Sequence, residues 1–415
     1  MNEERRAIEA LRAGVPNRAA IRLLGSSEAE IREQFLSNLR HCRAGLNAAV
    51  PVHGQIVAGG FGTGKSHLLG YLQELALQED FIVSWVSISK ETPLFDPDKL
   101  FMSAMRNAVV PKRNDDAMTA VLSRLQPNTD RYDELEEWAS KPSSGLPALF
   151  PALLHLIPRQ QATPERLQQI GRFFAGGKLS LVMVKQWLRE AGALKMFQMK
   201  PEKMLELARQ RVRFAPRLMA AAGYGGWCVL FDEVELVGRY SIIQRGRSYA
   251  EIARWLGLDD EAGVPGITAV AAITDDFTDR VIGDKRDDEL APAKLMDRGE
   301  RDNATLAAIG IRELQSKDAN RKLHDPNAAM LHASLEKTRN LYEKAYAWSP
   351  PATEIGDLMA TKSMRQHIKS WITIWDLQRL YGTTSEIESG TVLSNYLENK
   401  DIEQPTDSNG DQEEA

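Results

Sequence analysis

Cysteine is almost missing from this sequence: the 415 residues include only Cys42 and Cys228, with no CxxC pair. That excludes a disulfide scaffold and a zinc finger, and two lone thiols fit a reducing compartment. Cys228 sits inside an apolar run and reads as a small buried hydrophobe. Long apolar runs are missing as well, so nothing in the chain is expected to span a membrane. The opening residues Met1-Asn-Glu-Glu-Arg-Arg6 are charged where a secretory leader would be apolar. These absences together point to a cytoplasmic protein. No repeat of solenoid period is found either.

The net charge of −5 is unevenly spread. From Thr383 to the end there are nine Asp and Glu and one Lys, a net −8, which leaves +3 on the rest of the chain. The segment 383–415 is polar, acidic and poor in aromatics, and is expected to be disordered. A mildly basic body permits contact with nucleic acid without arguing for it.

What is present reads as alternating strands and helices. Residues 1–45 have helical apolar spacing. Gly54–Ala58, Phe81–Ile88, Trp227–Phe231 and Ile267–Ile273 read as strands, and Leu306–Ile311 as a weaker fifth. The run at 227–231 has no polar alternation, as expected of a parallel sheet covered on both faces. Asp96-Pro97 has the chemistry of a turn that opens a helix. Residues 112–220 read as a long helical insertion. Its Trp138, Phe173 and Phe174 suit either its own core or a partner surface. Two helical stretches follow, at about 325–348 and 361–381, separated by Pro350-Pro351.

Gly59-Gly60-Phe61-Gly62-Thr63-Gly64-Lys65-Ser66 fits GxxxxGK[ST] at every fixed position, between a strand and a helix. Glycines let backbone N–H groups converge on phosphates, and the helix start adds its dipole. Lys65 is expected to reach the β- and γ-phosphates and Ser66 to ligate Mg²⁺, with His67 next to the cradle. Trp227–Phe231 then ends in Asp232-Glu233. Asp232 is expected to face the magnesium, and Glu233 to act as general base toward the attacking water. An Asp-Glu pair at this point marks the P-loop branch that inserts an extra strand between these two motif strands. In that branch the strand 267–273 ends in a polar sensor, for which Thr274 is the first choice and Asp275 the second.

Two arginines complete the expected site. Arg298, with Arg301 as alternate, lies where a finger would project into a neighbouring subunit. Arg365 lies on a helix whose Ile368, Trp371 and Ile372 form a packing face, where a lid residue would touch the γ-phosphate. Arg239, Arg245 and Arg247 suit either phosphate contacts on DNA or a salt-bridged face; only Tyr240 and Tyr249 interleave with them, a thin signal.

Arg5–Asn17, Gly64–Leu72, Ile88–Pro97, Asp232–Ser241 and Gln244–Ala250 carry a more specific resemblance. In these stretches the chain resembles the BREX ATP-binding protein family, BrxD, of phage-resistance systems. That family is similar in turn to the AAA+ branch of origin-recognition proteins. The resemblance implies ATP binding and hydrolysis, other BREX proteins as partners, and work on DNA. The expectation is therefore an α/β P-loop NTPase of AAA+-like type. A parallel sheet of about five strands would be flanked by helices. The organisation expected is an N-terminal helical segment 1–45, an ATPase core at 46–111 and 221–318, the insertion 112–220, a helical lid 319–382 and the acidic tail 383–415. ATP and Mg²⁺ are the expected ligands, with a homo-oligomer formed on ATP binding. The competing readings are an ATP-controlled switch with little hydrolysis and a scaffold.

Overall fold

A computed structural model describes residues 3–14, 17–60, 62–113, 115–157, 163–316, 322–324, 327–351 and 364–382. Phe61 and the acidic segment 383–415 lie outside these residues. Three helices open the chain: α1 (Glu3–Ala13), α2 (Arg18–Leu24) and α3 (Ala29–Ala48). Then come β1 (Gln55–Ala58), α4 (Lys65–Gln78), β2 (Ile82–Ser87), α5 (Pro97–Arg106) and β3 (Ala108–Val109). The insertion supplies α6 (Ala117–Arg124), α7 (Asp130–Ser140), α8 (Leu149–Leu156), α9 (Pro164–Phe174), α10 (Leu181–Glu190) and α11 (Met204–Ala221). After it come β4 (Trp227–Asp232), α12 (Ile242–Trp255), β5 (Ile267–Ile273), α13 (Asp287–Asp297), α14 (Arg301–Gln315), α15 (Ala328–Tyr346) and α16 (Met364–Tyr381).

The sheet order is β1-β5-β4-β2-β3. Four strands are parallel, and the two-residue β3 runs antiparallel at one edge. β4 is buried along its whole length because both faces are covered. Val229 and Phe231 face the core shared with α5, α11 and α12; Cys228 and Leu230 face α3 and α4. β5 lies between β1, which leads into the glycine loop, and β4, which ends in Asp232. Asp96 caps α5, accepting a bond from Lys99 N at 3.1 Å, with Pro97 at the first helical position.

The expected strand at Leu306–Ile311 is instead part of α14. Its buried residues Leu306, Ala307, Gly310, Ile311 and Leu314 recur at helical spacing. α14 crosses α12 so closely that a Cβ on Gly310 would overlap the Tyr249 carbonyl oxygen. Within the insertion, Phe173 and Phe174 are core residues: their rings pack on Phe150 and Phe214 at centroid distances of 4.7–6.1 Å. Trp138 packs more loosely there, under the Arg217 guanidinium at 4.4 Å.

The first and last described helices meet. Ile8 and Leu11 of α1 and Leu24 of α2 share a core with Leu331 and Leu335 of α15 and Trp371 and Trp375 of α16. Arg12 Nε and Nη2 donate to the Asp376 carboxylate at 2.9 and 3.0 Å, and Tyr342 donates to the same group at 2.7 Å. Arg18 and Arg22 reach Glu74 of α4 at 2.6 and 2.9 Å, which ties this bundle to the helix that follows the glycine loop.

The α12–α14 crossing gives a direct test. Gly310→Ala should lower the unfolding free energy by about 1–3 kcal/mol in urea titration, because backbone and not a flexible side chain must yield. Wild-type stability in this variant would contradict the close crossing.

Candidate functional site

Parallel pairing places three strand ends on one edge of the sheet. Ala58 pairs with Ile273, and Phe231 with Ala271. The glycine loop leaves β1 at Gly59, whose N–H donates to Ile273 O at 3.2 Å. Gly62 and Gly64 hold positive φ of 82° and 112°, a region that side chains with a Cβ rarely enter. Gly64 caps α4, so the loop delivers its chain directly to a helix N-terminus. Thr63 Oγ1 donates to Gly60 O at 2.9 Å, and Lys65 Nζ donates to Gly59 O at 2.7 Å and Gly60 O at 3.2 Å. The lysine thus rests on the carbonyls of its own loop.

A cavity of about 280 Å³ opens over this loop. Its floor is Gly62–Leu68, and Asp232, Glu233 and Glu235 form one wall. The loop Leu24–Glu28 and the segment Leu323-His324 form another. Lys337 of α15 and Arg365 of α16 also line it. Residues separated by more than three hundred positions therefore share one concave space, a common form for a ligand site.

Each sequence-derived residue can now be placed. Gly62, Thr63, Gly64, Lys65, Ser66 and His67 line the cavity; Gly59 and Gly60 carry the loop beneath it. The ring of His67 donates to Gly25 O at 2.7 Å, and burial lowers its pKa, so it is neutral at physiological pH. Asp232 is buried and accepts from Glu233 N at 3.0 Å. Glu233 is exposed and adopts a left-handed conformation at φ 60°, uncommon for a residue with a Cβ. Thr274 is buried at the end of β5 and does not reach the cavity wall; Asp275 packs beside Gly60. Arg365 is on the wall as expected. Arg298 and Arg301, expected to face a neighbouring subunit, do not line this cavity, and Arg298 is exposed at the end of α13, 3.8 Å from Glu300.

Two of the arginines after Asp232 are structural. Arg245 is buried and donates two hydrogen bonds to the Asp287 carboxylate, each at 2.8 Å, and Tyr249 donates to the same carboxylate at 2.6 Å. Arg247 grips Glu300 with a fork at 2.6 and 3.0 Å. Groups committed in this way are not poised for DNA phosphates, which replaces the contact reading for these two positions.

Sequence reasoning missed Glu235, Glu28, His324 and Lys337. Glu235 is only 8% exposed, and its Oε2 has no hydrogen-bond partner among the described residues. Burial raises its pKa to about 7, helped by the charges of Glu233 and Asp232 and opposed by a hydrogen bond from its own backbone N–H and by the Lys65 charge. Leu323 N donates to Ala58 O at 2.8 Å, extending the sheet edge beside the glycine loop. Glu28 holds that extension by accepting from His324 N at 3.2 Å and His324 Nδ1 at 2.8 Å. Lys337 donates to Leu24 O at 2.6 Å and fixes the facing loop. A second cleft, about 430 Å³, opens near the start of β5. Its Arg254 is already bonded to Glu251 and Asn303, at 2.6 and 2.7 Å.

Residues 1–131 match the family described as BREX system ATP-binding protein BrxC/D. The family expected from the sequence is borne out over that segment, which carries α1 to α3 and the whole glycine loop. The family description names ATP as the ligand. It does not reach Asp232, Glu235 or Arg365, whose placement rests on the geometry alone. No curated protein and no solved structure matches the chain. Among the described residues no helix is long and apolar enough to cross a membrane.

The Glu28–His324 clasp should respond to pH. The hydrogen bond and charge of Glu28 raise the His324 pKa above its ordinary value. Its contribution is therefore full below the unfolded histidine pKa, about 6.5, and is lost as pH rises through the folded value. After correction for intrinsic rates, the Leu323 and His324 amides should exchange more slowly at pH 6 than at pH 8. His324→Ala should abolish the difference. Equal protection at both pH values in the wild type would refute the clasp.

Proposed function

We propose that the chain binds ATP in this cavity and hydrolyses it with the help of magnesium, as an AAA+-like member of a BREX defence system. The observation that carries the reading is the convergence of Gly62–Ser66, Asp232-Glu233 and Arg365 on one concave space. The strand order supports the AAA+ assignment, since β5 separates the loop strand from the strand ending in Asp232.

The residues present fit the ligands. Gly62 and Gly64 already hold the open turn that a phosphate cradle needs, and Lys65 keeps its ammonium on two weakly competing carbonyls. Lys65 would exchange those carbonyls for phosphate oxygens, a stronger charge-assisted pairing. Magnesium, held by Ser66 Oγ and the Asp232 carboxylate, would neutralise charge on the phosphates. Glu233, exposed at the strand end, would take a proton from water as the water oxygen bonds to the γ-phosphorus and the bridging P–O bond breaks. Arg365 reaches the same space from α16 and would meet phosphate oxygens with its planar fork. Because α16 is packed on α1 and α15, contact at Arg365 would pull the whole bundle with it. That coupling is the means by which turnover would move BREX partners, with DNA as a candidate substrate of the work.

An exposed Arg298 fits a finger that acts on a neighbouring subunit, and implies a homo-oligomer in the ATP-bound state. If so, Arg298→Ala and Glu233→Gln should each lose turnover alone and regain part of it when mixed.

Two substitutions test the core reading. Lys65→Ala should weaken ATP binding by about 10- to 100-fold in calorimetry, with the circular dichroism spectrum unchanged. Glu233→Gln should bind ATP as the wild type does and hydrolyse it about 10²–10⁴ times more slowly. A wild type that binds ATP yet shows no turnover beyond that of Glu233→Gln would leave an ATP-controlled switch as the function.

A further inference from the structure

We propose that Glu235 is a third carboxylate of the nucleotide site, an acceptor for the water shell of the divalent cation that accompanies the nucleotide. The proposal rests on the nucleotide reading of the cavity and adds a residue that neither the glycine-loop motif nor the Asp232-Glu233 pair contains.

The first observation is placement. Glu235 lies one turn after Asp232 and lines the same cavity wall as Asp232, Glu233 and Lys65. The second is independent of placement: the side chain is more than nine-tenths buried, and its Oε2 has no hydrogen-bond partner among the described residues. A buried carboxylate oxygen left without a donor costs folding free energy, and most such atoms in proteins are partnered. Among the described residues no ion pair closes the deficit: Lys65 donates to Gly59 and Gly60.

Charge gives the class of the missing partner. Asp232, Glu233 and Glu235 line the cavity near Lys65, and Glu28, Lys337 and Arg365 complete the charged lining, a net of −1 when all are ionised. A hydrated divalent cation brings several O–H donors to such a carboxylate cluster, one of which suits Oε2. Asp232 and Ser66 would remain the direct ligands, and Glu235 would orient a coordinated water, so it is a positioning residue. The structural cost of the orphaned oxygen in the nucleotide-free protein would be relieved when the nucleotide arrives with its cation. Such coupling would make nucleotide affinity depend on the cation more steeply than direct ligation alone would.

The test measures binding and not turnover. The non-hydrolysable analogue AMP-PNP is titrated calorimetrically into wild type and Glu235→Gln, in EDTA and over a series of magnesium concentrations. The two proteins should bind equally in EDTA, and the gain in affinity on adding magnesium should be about 10- to 100-fold smaller in Glu235→Gln. Equal magnesium gains in both proteins would overturn the proposal. So would a loss of affinity in Glu235→Gln that is the same with and without magnesium, since that marks a structural role. If the amide variant does not fold, Glu235→Asp and Glu235→Ala take its place. A larger magnesium gain in the aspartate variant supports the proposal, and equal gains overturn it. No AMP-PNP binding by the wild type would overturn both this proposal and the nucleotide reading, and is separable from the other outcomes.

Discussion

The register of three parallel strands is the constraint on which the site depends. β1, β5 and β4 are paired so that Ala58 stands level with Ile273, and Phe231 with Ala271. The glycine loop, the Thr274-Asp275 turn and Asp232 therefore leave the sheet at one edge, within about two residues of the same level. A one-residue slip of β4 would turn Cys228 and Leu230 toward the opposite core and carry Asp232 to the wrong face. Burial of both faces of β4 forbids that slip. Packing energy throughout the sheet thus fixes the position of a few polar groups at its end.

The second requirement is a roof, and the chain builds it from its first and last described helices. α1 and α2 are joined to α15 and α16 by an apolar core and by Arg12, Tyr342 and Asp376. Arg18 and Arg22 fasten α2 to Glu74 on α4, the helix that starts in the glycine loop. A change at the loop is thereby linked through α4, α2 and the shared core to α16, which carries Arg365. Such a linkage is what a nucleotide-driven motion needs, provided the bundle has a second arrangement to move to.

Much of this was legible in the sequence because the signals are local. The glycine loop is a contiguous pattern, and the four long strands are contiguous apolar runs of β-branched and aromatic residues. Arg365 was found from the packing face of its own helix. Leu306–Ile311 misled because a short apolar run fits either period, and the helical one emerges only when the window extends to Leu314. β3, two residues long, has no period at all. Arg245 and Arg247 could not be told from exposed arginines, since their partners Asp287 and Glu300 lie 42 and 53 residues away. Glu28 and His324 are 296 positions apart, and nothing local marks either. Glu235 stood in plain view three residues after Asp232, yet only burial and an unpartnered oxygen distinguish it from a solvated acid.

The central claim is that the glycine loop and the terminal bundle enclose one nucleotide site. Hydrogen exchange with and without AMP-PNP and magnesium tests it most directly. The account predicts added protection at residues 62–68 together with residues 24–28, 323–324, 330–337 and 364–368, because each of these segments contributes to the lining of the same cavity. Protection confined to the glycine loop, with the other segments exchanging as they do without nucleotide, would contradict it.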